Sequence, residues 1–198
     1  NEVWGKNFPR QYNRWKATED TSFASMYNGS APRDMLEENP RMVVLWADYG
    51  FAKGYNQGKG HYWAIKDIRD ILRTGAPVDG ESSPMPNTCW TCKSPDVPRL
   101  MNEMGAEEFY SGSWEELGPE VVNPIGCGDC HDADDMSLKV TRPALVESFE
   151  RQGKDITKAD HNTKRRLVCA QCHSEYYFKG EGKYLTFPTD NGYSAEDM

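Results

Sequence analysis

All six cysteines of this chain fall into three Cys-x-x-Cys pairs, Cys89/Cys92, Cys127/Cys130 and Cys169/Cys172, and none is left over. Two pairs are followed at once by histidine, as Cys127-Gly128-Asp129-Cys130-His131 and Cys169-Ala170-Gln171-Cys172-His173. That is the pattern of c-type haem attachment. Two thioether bonds must reach two vinyl carbons on one edge of a porphyrin, and the next residue must swing under the ring to give the iron an imidazole. Zinc sites also use paired cysteines but close with four ligands, and three pairs do not divide neatly into tetrahedral sites. A thioredoxin-like motif has one active pair in a βαβ setting, whereas these pairs recur 38 and 42 residues apart amid Pro, Gly and charged loops. Disulfides across so short a spacing are strained. A multihaem cytochrome is the reading that remains.

The first pair ends differently, in Lys93. The plain alternative is a degenerate or vacant attachment site. A lysine amine ligates iron only when deprotonated, which needs its pKa lowered by metal coordination and burial, at a cost the iron bond must offset. Such a cost points to a purpose. A primary amine is a σ-donor without the imidazole π-system, and a site with no second protein ligand leaves a position open for substrate.

Composition agrees with a chain wrapped around cofactors. Apolar residues make up 37% of the 198 positions and the mean hydropathy is -0.80, so a conventional aliphatic core would be thin for this length. Three flat apolar macrocycles would replace the missing volume. The expected fold is therefore mainly α with many loops and few short strands, a single multihaem cytochrome c domain over residues 1–198 wrapped around stacked haems. The net charge of -8 argues against nucleic acid as partner and against a polybasic membrane anchor. No run of eighteen apolar residues occurs. The start, Asn1-Glu2-Val3-Trp4, has neither a charged n-region nor an apolar h-region, so any export signal is expected to have been removed.

Local patterns place several helices. Tyr62, Ile65, Ile68, Ile71 and Leu72 recur at helical spacing, with Gly75 and Pro77 as a stop signal. His61 would open that helix and Arg73 would close it, about 18 Å apart along the axis, so the two should serve different iron sites. On the pattern alone Arg73 is a cation in a last helical turn. Thr141-Arg142-Pro143 followed by Ala144, Leu145, Val146 and Phe149 up to Gly153 reads as a capped helix. The segment Asp155 to Val168 reads as a charged helix containing Lys164, Arg165 and Arg166. Asp132-Ala133-Asp134-Asp135 reads as a solvated acidic loop, or as part of a docking face for an electron donor.

The run Cys89-Trp90-Thr91-Cys92-Lys93-Ser94-Pro95-Asp96-Val97, preceded by Leu72-Arg73-Thr74-Gly75-Ala76-Pro77 and followed by Cys169-Ala170-Gln171-Cys172-His173-Ser174-Glu175-Tyr176-Tyr177-Phe178, resembles the pentahaem cytochrome c nitrite reductases, the ammonia-forming enzymes. The likeness extends from Trp15-Lys16-Ala17-Thr18 through Val44-Leu45-Trp46-Ala47 to Phe187-Pro188, and lysine after Cys-x-x-Cys is highly specific to that family. The resemblance implies a six-electron reduction of nitrite to ammonium at the haem on Cys89 and Cys92, with Lys93 as proximal ligand and nitrite on the opposite face. It makes the haems on Cys127/Cys130 and Cys169/Cys172, with proximal His131 and His173, six-coordinate wires. Arg73 and Tyr176 align with the family's active-site arginine and tyrosine. Arginine can fork onto the nitrite oxygens, and tyrosine can donate a proton or hydrogen bond to reduced nitrogen. His61 aligns with the distal ligand of the haem on Cys169 and Cys172, while His161 has no ligand role in that alignment. Glu175, through its carboxylate, and Tyr176, through its carbonyl, align with ligands of a calcium ion, which wants six to eight oxygens. Read alone, Glu175 is a solvated carboxylate.

Members of that family carry five haem c groups, whereas three attachment sites are present here. The chain is thus expected to be a fragment of a longer one. The rest would bring the fourth and fifth haems, the distal ligand of the haem on Cys127 and Cys130, more calcium ligands and an active-site histidine. The resemblance further implies a periplasmic homodimer, with membrane association only through a partner. Its electron donor would be a quinol-oxidising, membrane-anchored cytochrome or a soluble multihaem cytochrome. A hydroxylamine- or sulfite-converting multihaem enzyme, or a purely electron-transferring cytochrome, are the alternatives. Lys93 discriminates against the last, since a shuttle has no use for an open iron.

Overall fold

Prolines and glycines, 12 and 17 of them, punctuate the chain so often that helices stay short. A computed structural model describes residues 1–27, 29–74, 85–192 and 194–197. Among them the helices are α1 (Glu2–Asn7), α2 (Pro9–Lys16), α3 (Met35–Glu38), α4 (Met42–Leu45), α5 (Ala64–Asp70), α6 (Asp96–Met104), α7 (Ala106–Ser111), α8 (Trp114–Leu117), α9 (Pro143–Arg151) and α10 (His161–His173). Single 3₁₀ turns fill many of the gaps. The one sheet among the described residues is a hairpin of β1 (Tyr177–Lys179) and β2 (Tyr184–Thr186), paired antiparallel with Phe178 opposite Leu185. The expected architecture, helical with many loops and few short strands, is the one observed. No helix of the described residues is long and apolar enough to cross a membrane.

The core is lopsided. No described residue of the first sixty is buried, and the first that is, Ile65, lies in α5. From there a dense cluster forms between α6, α7, α8, α9 and β2, around Trp90, Val97, Phe109, Tyr110, Leu145, Leu185 and Phe187. Trp90 stacks on Trp114 at 3.6 Å between centroids and 7° between planes, and its indole N–H donates to the Trp114 carbonyl at 3.2 Å. Each large side chain buried this way contributes roughly 1.5–3 kcal/mol. The low apolar content therefore reflects a well-packed core from Ile65 onward and a first stretch of sixty residues that adds no buried side chain to it among those described, rather than a uniformly thin interior.

Three helical expectations need revision. The segment after His61 begins as a 3₁₀ turn (His61–Trp63), becomes α5, and breaks at Ile71, whose backbone is extended (φ -91, ψ 135). The break has a local cause, because the Thr74 hydroxyl donates to the carbonyls of Ile68 and Ile71 and competes with helical pairing. Ile65, Ile68 and Ile71 are buried as the period requires, but Leu72 is exposed beyond the break. The stop signal Gly75 and Pro77 lies outside the described residues. In α9 the N-cap position belongs to Arg142, with Pro143 at N1 and no side-chain cap; Thr141 instead donates to the Asp129 carbonyl at 3.0 Å. The charged helix opens at His161, where the Asp160 carboxylate caps Asn162 and Thr163, and runs through the third cysteine pair to His173.

Candidate haem-bearing cleft

The three attachment motifs are built differently. In the first, a 3₁₀ turn over Asn87–Trp90 continues through Thr91 N–H to Thr88 O and Lys93 N–H to Trp90 O. This winding sends Trp90 and Thr91 into the core and leaves Cys89, Cys92 and Lys93 half-buried on the other side. In the second, Cys127–Asp129 form a 3₁₀ turn in which the Gly126 N–H donates to the Asp129 carboxylate at 2.8 Å. The third is the last turn of α10.

Each histidine after a motif has a distinct setting. His131 Nδ1 lies 2.8 Å from the Met136 carbonyl. A carbonyl only accepts, so Nδ1 carries the proton and Nε2 keeps a free lone pair, the arrangement that prepares a histidine for a metal. The acidic turn makes this contact: Met136 adopts a left-handed conformation (φ 63), with its N–H donating to Asp132 O at 3.1 Å. Asp132 pairs with Lys139 at 3.1 Å, and Asp134 and Asp135 are exposed, so the loop is solvated as expected. His173 faces His61, with ring centroids 6.3 Å apart and planes 33° from parallel. His161 stands exposed at the opposite end of α10, about 18 Å along the axis from His173.

A cleft of about 950 Å³ joins these parts. One wall carries Cys92, Lys93, Cys130, Cys169, Cys172 and His173, drawn from all three motifs. His61 and Arg73, on either side of the break at Ile71, both line this space. Among the described residues Lys93 has no carboxylate within ion-pair distance.

The electrostatics converge on the first motif. Burial pushes the Cys89 thiol up to about 11, against the pull of Lys93 and Arg73. The Cys172 thiol donates to Cys92, which holds Cys92 down and drives Cys172 up, so the first and third attachment points adjoin. Burial lowers the Arg73 pKa, and the phenol of Tyr176, the thiol of Cys89 and the phenol of Tyr55 oppose it. An arginine so shifted still stays charged. Arg73 lies 4.4 Å over the Phe51 ring, and Gly50 permits this, since a Cβ there would come 2.8 Å from Arg73 Cγ. Tyr176 stays 45% exposed; the burial it does have raises its pKa, the thiols of Cys92 and Cys89 add to that, and Arg73 opposes it.

The donor set fits haem c. Paired thiols, a histidine with its lone pair prepared, facing imidazoles and a large cleft are what covalent attachment and axial ligation need. Calcium is different. Glu175 is exposed, and among the described residues no group of three or more His, Cys, Asp or Glu side chains could hold a metal ion. Two oxygens do not make a calcium cage.

A buried polar network escaped the sequence reading. Arg142 is fully buried and bonds the Thr91 carbonyl (2.8 Å), the Ser94 carbonyl (2.9 Å) and the Asp129 carboxylate (2.6 Å). The Gln171 amide donates to the Asp129 carbonyl at 2.8 Å and accepts from the N–H groups of Thr141 (2.9 Å) and Arg142 (3.2 Å). The signal was present in the motifs, whose second spacer residues Thr91, Asp129 and Gln171 are all polar.

Comparison with known proteins agrees with this geometry. The family model for cytochrome c552 matches residues 1–198. Cytochrome c-552 of Parabacteroides distasonis is 59% identical over 198 residues, that of Porphyromonas gingivalis 56% over 198 residues, and that of Desulfotalea psychrophila 44% over 209 residues. All of this chain is covered in each case, and 40% of the relative. The chain thus spans about two fifths of the length of the curated relatives it matches. Among solved structures, the catalytic subunit of cytochrome c nitrite reductase from Desulfovibrio desulfuricans, described for its two calcium sites, superposes with a TM-score of 0.87 at 33% identity, over 99% of this chain and 45% of that one. With a matching model over its whole length and the multihaem cytochrome c nitrite reductase fold, the chain belongs to the cytochrome c552 family.

Proposed function

We propose that this chain is the part of an ammonia-forming cytochrome c nitrite reductase that binds and reduces nitrite, and the observation that carries the reading is Lys93 directly after Cys-x-x-Cys, with Arg73 and Tyr176 in electrostatic reach of that motif. Haem c held by Cys89 and Cys92 would supply the redox chemistry for a six-electron reduction of a small anion. Lys93, the residue directly after the pair, would serve as the protein ligand of that iron. Arg73, charged and half-buried beside Phe51, forks onto the nitrite oxygens and offsets the acidic character of the whole chain. Tyr176 keeps its proton well above neutral pH, and so can donate it to the nitrogen as it is reduced.

Cys127, Cys130 and His131 would hold a second haem, and Cys169, Cys172 and His173 a third. His61 would supply the distal imidazole of the third. The rings of His61 and His173 lie 6.3 Å apart between centroids, close enough for both to serve one iron. Calcium at Glu175 and Tyr176, a periplasmic location, a homodimer and a quinol-oxidising or soluble multihaem cytochrome as donor complete the proposal.

The test uses the haem-loaded, full-length protein. Intact mass should exceed the polypeptide by its attached haems, the spectrum should contain one haem with an open position, and nitrite should be consumed with ammonium formed. Only low-spin, six-coordinate haems and no ammonium would leave an electron carrier instead.

A further inference from the structure

Resting on that reading, we propose that Arg142 is a positioning residue that locks the three haem-attachment motifs into one rigid frame, and so sets the spacing across which electrons pass between the haems. The motifs are far apart in sequence but meet at one spot. The second spacer residue of each, Thr91, Asp129 and Gln171, is buried to 2% exposure or less. Arg142 Nε donates to the Thr91 carbonyl and Nη2 to the Asp129 carboxylate, while Nη1 donates to the Thr141 hydroxyl at 2.6 Å. That hydroxyl donates on to the Asp129 carbonyl, and the Gln171 amide ties the third motif to the same carbonyl and to the Arg142 backbone. Apart from the direct bond between the Gln171 amide and the Asp129 carbonyl, each link ends on Arg142 or its neighbour Thr141.

Three features say that geometry is the purpose. A buried ion pair is weak evidence for stability, because desolvation offsets most of its attraction. The guanidinium is a planar fork with donors in fixed directions, which an ammonium cannot imitate. Finally, Arg142 sits immediately before Pro143 and α9, which packs on the core through Leu145 and Phe149, so the fork is anchored to a rigid element as a precise site requires.

Arg142→Lys keeps the charge and removes the fork. In the haem-loaded full-length protein we expect the attached-haem mass to be retained, the paramagnetic resonance signals of the haems to shift, and electron re-equilibration among them after pulsed reduction to slow by about tenfold or more. Gln171→Ala detaches only the third motif, and should alter the signals of the haem on Cys169 and Cys172 while leaving the others in place. It serves as the deciding variant if Arg142→Lys does not load. Unchanged signals and re-equilibration in a loaded Arg142→Lys protein, or in Gln171→Ala, would overturn the proposal. A bare polypeptide mass for the unsubstituted protein would instead defeat the haem assignment itself.

Discussion

Arg73 is held in place by a neighbour with no side chain and a neighbour with a ring. Gly50 leaves room for its stem and Phe51 receives the guanidinium on its face. Arg73→Ala should therefore lower nitrite turnover about a hundredfold or more, as loss of a preorganised charge-stabilising donor does, with haem content by mass unchanged. Tyr176→Phe removes only the hydroxyl and should lower turnover by roughly 10²-fold; wild-type rates would remove Tyr176 from the chemistry. At this scale the sequence was informative where chemistry imposes an unusual residue, as with Lys93 after a cysteine pair. It was silent on Arg142, because an arginine before a helix looks like any solvated cation until three distant segments are seen to converge on it.

Helix α6 shows how an element is fastened beside the first motif. The Asp96 carboxylate accepts from the N–H groups of Val122 (2.9 Å) and Asn123 (2.8 Å), from the Asn123 amide and from the Ser94 hydroxyl. Partial burial raises its pKa, but these donors outweigh it and the net shift is downward. A depressed native carboxylate binds fewer protons than the unfolded one, so its stabilisation is complete above the ordinary aspartate range and is lost as pH falls through the native value. Asp96→Asn should flatten the fall in melting temperature between about pH 5 and pH 2; an unchanged acid limb would show that other carboxylates dominate. Elements were legible where apolar period and breakers agreed, as over Pro143–Arg151. They were misread where a hydroxyl competed with the backbone, since the Thr74 contacts that break the helix at Ile71 join residues whose spacing carries no apolar signal.

Across the whole molecule, the buried side chains begin at Ile65, and among the described residues the first sixty contribute none. Trp114→Ala opens the stack on Trp90 and should cost about 3–5 kcal/mol by denaturant unfolding of the haem-loaded protein. Without haem, residues 1–60 should exchange their amide hydrogens quickly while the segment around α6 to α9 stays protected; uniform protection would mean that the first sixty residues fold unaided. Composition announced the shortage of apolar side chains but not where it falls, because hydropathy averaged over the chain carries no position. In the haem-bearing protein proposed here, attached cofactor would supply apolar contact that the first sixty residues, several of which line the cleft, lack among themselves. A reversible ligand stabilises its protein by mass action and lets go on dilution, whereas a group fixed through Cys89, Cys92 and their counterparts cannot leave. The segment with no core of its own would then be as durable at trace concentration as in a crowded compartment.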